Sequence, residues 1–253
     1  MSDTSDTPDR PGNARPPSRR RPAASGAVAG PAPHYAGHRD RLRQRFRDGG
    51  AAALQDYELL ELLLFLSIPR RDVKPLAKDL IARFSSLAGV LSADLGALRA
   101  AGLSERSALA LKTVQAAGLT LAQAEVIDRP VVSSWQALLD YCRAAMGRSP
   151  VEQTRILFLD RKNRLIADEV QQTGTVDHTP LYPREVIKRA LDLHASAIIM
   201  VHNHPSGDAT PSRADIEITR QVQQAGKQLG VILHDHIIIA RGEHASFKSM
   251  GLI

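Results

Sequence analysis

The chain of 253 residues has a single cysteine, Cys142, and few aromatic side chains. One cysteine excludes an internal disulfide and a structural zinc site made of several thiolates. Because Phe, Tyr and Trp make up only 4% of the chain, we expect an aliphatic core. No apolar run approaches the roughly 18 residues of a membrane span, and the start lacks the apolar segment of a signal peptide. We therefore expect a cytoplasmic protein that does not contact a membrane.

Charge is distributed unevenly along the chain, whose net charge is +6. Residues 1–36 are rich in proline and arginine and nearly lack large apolar residues, so they cannot form a core. We predict that this segment is a disordered basic tail, and its functional alternative is an electrostatic tether to nucleic acid. The chain as a whole is 43% hydrophobic, which is enough for one large domain or two ordinary ones.

Residues 37–127 show helical spacing and predict an all-helical module. Five arginines alternate at its start, and on a helix Arg39, Arg43 and Arg47 lie along the same face. A solvated face is one interpretation, and contact with nucleic-acid phosphates is the other. Asp56 is predicted to cap the helix that follows.

The segment 95–114 resembles a helix-hairpin-helix with Gly102 in its turn. Such hairpins bind a DNA phosphate through backbone N–H groups and a helix N-terminus. Ser104 is predicted to cap the second helix, and Glu105 in its first turn would repel a phosphate. A packing module and a DNA-binding hairpin therefore both stay open.

Residues 131–253 predict an α/β domain, since Pro130 ends the helical pattern and β-branched residues follow. Two strands near residues 154–160 and 165–173 should form an antiparallel hairpin. Helices and apolar strands then alternate to the end, which is typical of a mixed sheet covered by helices.

A buried strand leads directly to candidate metal ligands. His202 and His204 are two residues apart, so on an extended backbone their imidazoles lie on the same side. Ser212 and Asp215 have the spacing of a capping box, and an acid in the first helical turn can point back at the histidines. Two imidazoles and one carboxylate with an open fourth position are typical of catalytic zinc, so we expect one Zn²⁺ per chain.

The order His202-x-His204-Pro, six residues, Ser212, two residues, Asp215 is similar to the JAMM motif of MPN-type metalloproteases. The flanking text resembles bacterial RadC proteins from about residue 37 to the end, in the segments Gly174-Thr-Val-Asp-His-Thr-Pro, Tyr182-Pro-Arg-Glu-Val and His202-Asn-His-Pro-Ser-Gly-Asp. The resemblance implies a mixed α/β sheet layered as in cytidine deaminases, and hydrolysis of a peptide or isopeptide bond in an unidentified substrate. Asn203 departs from those proteases, which usually carry Ser or Thr there.

The resemblance also implies roles for two further residues. Glu152 corresponds to the glutamate that opens the first strand of JAMM domains, and it would act as general base. Glu169, inside the second strand, is the competing candidate. Ser212 would stabilise the oxyanion by the resemblance, whereas local physics makes it an N-cap.

A second His-x-His pair, His234 and His236, repeats the same-face spacing, but no third ligand follows it at a suitable distance. We interpret His236 as a residue that packs beside or behind the metal ligands, and we assign no role to Asp177 or His178. The hypothesis from another class is a DNA-associated protein of recombination or repair. In that case the N-terminal region would bind DNA and the metal domain would be a scaffold or regulator.

Overall fold

The computed structural model describes residues 37–173 and 181–253. The predicted basic tail, residues 1–36, lies outside the described residues, as does the segment 174–180 with Asp177 and His178. By their backbone contacts, residues 37–253 belong to the same compact unit.

The first half of the described chain is helical. Its helices are α1 (His38–Gly49), α2 (Asp56–Ser67), α3 (Lys74–Phe84), α4 (Leu87–Ser92), α5 (Leu95–Ala100), α6 (Glu105–Ala124) and α7 (Trp135–Met146). Buried aliphatic side chains of α1 to α6, among them Leu60, Leu80 and Leu111, form a shared core. Full burial of each such side chain contributes about 1.5–3 kcal/mol, which offsets the loss of chain entropy. No helix in the described ranges has the length and apolar character needed to cross a bilayer.

The start of α2 differs from the prediction. Gln55 is its N-cap and forms a capping box with Glu58, whereas Asp56 is the first helical residue. The prediction that Asp56 caps α2 is wrong, because its Oδ2 instead accepts the Leu87 N–H at 2.8 Å. Asp56 therefore stabilises the start of α4, a helix that the sequence pattern did not indicate.

In the described part of the chain, five strands form one mixed sheet in the order β2-β1-β3-β4-β5. They are β1 (Gln153–Leu159), β2 (Leu165–Thr173), β3 (Ala197–Asn203), β4 (Ile232–Ile239) and β5 (His244–Ser246). β1 pairs antiparallel with β2 and β3, and β5 pairs antiparallel with β4. β3 and β4 are parallel, so they need the crossover that α9 (Arg213–Gln228) provides. The predicted hairpin and mixed sheet are confirmed.

Helices cover both faces of this sheet. Helix α7 packs on one face against a core that includes Leu157, Ile199 and Ile237. Helices α8 (Pro183–Asp192) and α9 pack on the other face, where the core includes Ile198 and Met200. Neighbouring residues of β3 therefore serve opposite cores, as strand alternation requires, and every residue of β3 is buried. The predicted α/β class, with three layers, is confirmed.

The segment 127–131, which lies between α6 and α7, is bound to the β1–β2 hairpin. The Asp128 N–H donates to Leu165 O at 2.8 Å, and the Val131 N–H donates to Asn163 O at 2.8 Å. The Leu165 N–H in turn donates to Arg129 O at 3.3 Å. The helical part of the chain thus continues into the sheet through backbone pairing.

Candidate metal centre

The two histidines and Asp215 meet where β3 ends and α9 begins. Nε2 of His202 lies 2.9 Å from Nε2 of His204 and 3.3 Å from Oδ1 of Asp215. Nε2 of His204 lies 3.6 Å from Oδ2 of Asp215. A tetrahedral zinc with bonds of about 2.0–2.1 Å places its ligand atoms about 3.3 Å apart, close to these distances. One ligand atom from each residue falls within 4.8 Å of the others, so the three could hold one ion.

Hydrogen bonds behind His202 decide which of its nitrogens carries the hydrogen. Oγ1 of Thr219 lies 2.5 Å from the backbone oxygen of Asp215, and a carbonyl can only accept, so the hydroxyl donates there. The same hydroxyl lies 2.5 Å from Nδ1 of His236, so it accepts from that N–H. Nε2 of His236 is then unprotonated and accepts from Nδ1 of His202 at 2.8 Å. His202 therefore presents the lone pair of Nε2 to the site.

His204 has the same tautomer for a simpler reason. Its Nδ1 lies 2.7 Å from the backbone oxygen of Asp208, so Nδ1 carries the hydrogen and Nε2 has the lone pair. Two lone pairs 2.9 Å apart, beside a carboxylate, repel one another unless a positive charge lies between them. The donor set therefore fits a cation.

The protonation states agree with this conclusion. Burial lowers the pKa of His202 to about 4, so its ring is neutral. Burial alone would raise the pKa of Asp215, but the neighbouring His204 and His202 and the contact with Ser212 hold it well below its usual range. The neighbouring carboxylate of Asp215 raises the pKa of His204, as expected at a site that favours a positive charge. A bound metal would take the place of that proton.

The predicted base, Glu152, directly precedes β1 at the same edge of the sheet. β1 runs antiparallel to β3 with Thr154 opposite His202, so the strand direction brings Glu152 to the level of His204. The negative charge of Glu152 contributes to the raised pKa of His204. Glu152 therefore lies within electrostatic reach of the metal ligands.

The competing base, Glu169, is bound elsewhere. Both of its carboxylate oxygens accept hydrogen bonds from the guanidinium of Arg189, at 2.5 to 3.1 Å. The same contact lowers the pKa of Glu169, so its carboxylate is a weak proton acceptor. These contacts favour Glu152 over Glu169 as the base.

Ser212 and Asp215 form the predicted capping box. The Asp215 N–H donates to Oγ of Ser212 at 3.1 Å, and the Ser212 N–H donates to Oδ2 of Asp215 at 2.7 Å. The box orients the carboxylate so that Oδ1 points toward His202. The cap uses a lone pair of the Ser212 hydroxyl and leaves its hydrogen for another acceptor.

The second His-x-His pair does not repeat the arrangement of the first. A β-bulge in β4 places an extra residue between Leu233 and Asp235, so the expectation that His234 and His236 share a face is wrong. His234 lines a cavity of about 550 Å³ on the α7 side, together with Trp135, and its Nε2 bonds Asn163. His236 lies on the other side of the sheet and supports His202 from behind, as predicted.

The arginines proposed for nucleic-acid binding contact the protein itself. Arg39 donates to two backbone oxygens at 2.6 Å each, and its guanidinium lies 4.2 Å from the ring centre of Phe65. Arg43 and Arg47 each bond a side chain one turn away on α1, at 3.0 Å. Phosphate binding by these three residues stays a prediction.

Gly102 occupies the predicted turn between α5 and α6, with φ +93°. Its N–H donates to Arg99 O at 3.0 Å, so this group is already used within the hairpin. Ser104 caps α6 by accepting the Ser107 N–H, which confirms the predicted cap. A role of Gly102 in DNA binding stays a prediction.

Sequence analysis missed Thr219, which fixes the ring of His236. It lies four residues after Asp215 and therefore on the same face of α9. A hydroxyl residue one helical turn beyond a candidate metal ligand is the sequence signal that could have identified it.

The three-layer fold and the His-His-Asp cluster define a domain of the JAB type. A family model described as "RadC-like JAB domain" matches residues 132–252. A UPF0758 protein of Rhodobacter capsulatus is 58% identical over 213 residues, which cover 84% of this chain and 100% of the relative. The chain belongs to the RadC family, and the predicted resemblance to RadC proteins is confirmed.

Proposed function

We propose that this protein is a zinc-dependent hydrolase of peptide or isopeptide bonds. One observation carries the proposal, namely that the Nε2 atoms of His202 and His204 converge with the carboxylate of Asp215. Two nitrogens and one oxygen leave one of the four zinc positions open, as catalytic sites require. Membership of a family with a RadC-like JAB domain supports this function.

His202, His204 and Asp215 would hold the ion, and the other residues would act around it. Zinc, when bound, supplies a Lewis acid that polarises a carbonyl and makes water more acidic. Thr219 and His236 keep His202 in the tautomer that can bind a metal.

Glu152 and Ser212 act on the substrate in this proposal. The carboxylate of Glu152 takes a proton from the attacking water and delivers it to the nitrogen of the leaving amine, so that the amide bond breaks without net proton uptake. The free hydrogen of the Ser212 hydroxyl donates to the oxygen that becomes negative during attack. A donor at that position contributes about 2.7–4 kcal/mol to lowering the barrier.

The test compares Glu152→Gln with a matched change, Glu169→Gln. We expect all proteins to bind one zinc, measured by metal analysis after dialysis. The wild type and Glu169→Gln should cleave quenched peptides or isopeptide-linked substrates, and a chelator should stop this cleavage. Glu152→Gln should not cleave, and it can serve to capture the natural substrate from cells. Equal cleavage by Glu152→Gln and the wild type would contradict the proposal.

The same proteins test the DNA-associated alternative. Stoichiometric zinc without any cleavage, together with DNA binding that weakens steeply with salt, would favour that alternative. The binding measurement should include the wild type and a variant in which Arg39, Arg43 and Arg47 are changed to Gln. Cleavage without DNA binding would favour the hydrolase.

A further inference from the structure

Asn203, the residue between the two histidines, connects β3 to the segment that carries Glu152. Its side chain is only 1% exposed. Oδ1 of Asn203 accepts the Gln153 N–H at 3.0 Å, and Nδ2 donates to Val151 O at 3.2 Å. The amide thus binds the backbone on both sides of Glu152.

The chemistry of these partners requires an amide side chain. A backbone N–H can only donate and a backbone carbonyl can only accept, so the orientation of the amide is fixed by its partners. An aspartate at 203 would have no hydrogen for Val151 O, and a serine would offer its donor and acceptor on one atom. An asparagine instead of the Ser or Thr of the broader proteases therefore has a structural reason here.

The segment around Glu152 depends on such side-chain contacts because the β1–β3 ladder ends just before it. The last paired residues are Thr154 and His202. Beyond this pair, the side chain of Asn203 binds the backbone of the segment to the end of β3. Oγ of Ser149 adds a second contact, donating to Val151 O at 2.7 Å and accepting the Val151 N–H at 3.2 Å. Two side chains thus hold the Val151 peptide groups in the stretch that precedes the strand.

We propose that Asn203 is a positioning residue, which holds the backbone at Val151 and Gln153 so that the Glu152 carboxylate stays beside His204. This inference rests on the proposed function, in which Glu152 transfers the proton. A base displaced by about 1 Å can lower the rate about 100-fold, so a small backbone shift is sufficient to matter.

The experiment compares Asn203→Leu and Ser149→Ala with the wild type. Ser133→Ala is the matched control, because Ser133 also donates to a backbone oxygen, Pro130 O at 2.9 Å, but lies outside this segment. Zinc content, kcat, KM and amide hydrogen exchange at residues 151–153 are measured for each protein. The zinc-loaded proteins are used for the kinetics.

For Asn203→Leu we expect unchanged zinc content, unchanged KM and a kcat that is lower by about 10 to 100-fold. The Gln153 amide should exchange faster, because it has lost its acceptor. Ser149→Ala should lower kcat in the same direction by a smaller factor. Ser133→Ala should match the wild type in every measurement.

Several results would overturn the inference. Loss of zinc from Asn203→Leu would mean that Asn203 acts on the metal ligands, and a wild-type kcat would mean that the contacts do not position the base. If Asn203→Leu does not fold, a wild-type kcat for Ser149→Ala overturns the inference and a lower kcat with full zinc supports it. A zinc-loaded wild type without cleavage contradicts the proposed function and this inference together, whereas an active wild type with equally active variants contradicts the inference alone.

Discussion

Two His-x-His pairs lie at neighbouring parallel strands, His202 and His204 at the end of β3 and His234 and His236 within β4, yet only the first pair brings its two rings together. His202 and His204 place their Nε2 atoms 2.9 Å apart, whereas the bulge in β4 sends His234 to one face of the sheet and His236 to the other. The comparison teaches that a spacing of two residues predicts a shared face only while the strand ladder stays regular.

The acidic residues near the two pairs also differ. After β3, the capping box of α9 brings Asp215 to the histidines. In β4, Asp235 accepts hydrogen bonds from the Ser246 hydroxyl and the Lys248 N–H, so its carboxylate serves the turn around β5. The first pair gains a third ligand, and the acid near the second pair is already engaged.

The largest expected effect separates the two pairs by metal content. His202→Ala should reduce zinc from one per chain to nearly none, because only one imidazole and one carboxylate remain to bind the ion. His234→Ala should keep one zinc, since its ring bonds Asn163 on the α7 side. Metal analysis after dialysis measures both, and loss of zinc from His234→Ala would show that the pairs are not distinct.

A smaller effect is expected at Thr219. Its hydroxyl bonds His236 of the second pair, and His236 in turn bonds His202 of the first pair. Thr219→Val removes the acceptor for the Nδ1–H of His236, so the tautomer of His236 is no longer fixed. When His236 carries its hydrogen on Nε2, it cannot accept from Nδ1 of His202, and His202 loses the bond that keeps its own Nε2 free of hydrogen. Zinc affinity should fall by about 10 to 100-fold, measured by competition with a chelator. Thr120→Val is the control, because Thr120 also donates to the carbonyl one turn earlier, at 2.9 Å, with no histidine beside it. Equal affinities in the two variants would contradict the tautomer argument.

The smallest effect concerns pH. Burial, with a smaller contribution from Lys248, lowers the pKa of His234 below its usual 6.5. As pH falls through about 6.5, the unfolded chain binds a proton at this residue that the folded protein does not, so the free energy of unfolding decreases. In His234→Gln the melting temperature of the metal-free protein should therefore fall less on acidification than in the wild type. Other buried histidines contribute in both proteins, so some fall in melting temperature is expected in each. An identical fall in the variant and the wild type would contradict this prediction.

The cluster of His202, His204 and Asp215 could be predicted because each contact follows from a short-range rule. Strand alternation pairs His202 with His204, and the capping box aims Asp215. The connections between distant segments could not be predicted in this way. Asp56 accepts the first N–H of a helix that begins 31 residues later, and Asn203 binds backbone groups 50 and 52 residues away. Such contacts depend on how the elements pack, which no local spacing contains.

The bulge at His234 was also unpredictable from local pattern. No glycine or proline marks the extra residue between Leu233 and Asp235. The position of His236 behind His202 could nevertheless be inferred, because a buried histidine beside a metal site commonly bonds a ligand ring.

The pairing of residues 127–131 with the hairpin determines where an autonomous fragment of this protein can start. The match to the RadC-like JAB domain begins at residue 132. A polypeptide excised there would leave both backbone groups of Leu165 without their partners, and it would remove Val126 and Ile127 from the layer under α7. The smallest piece that keeps these contacts must therefore begin before Val126, in the segment that follows α6, and a graft of the candidate metal centre into another chain would have to include these residues.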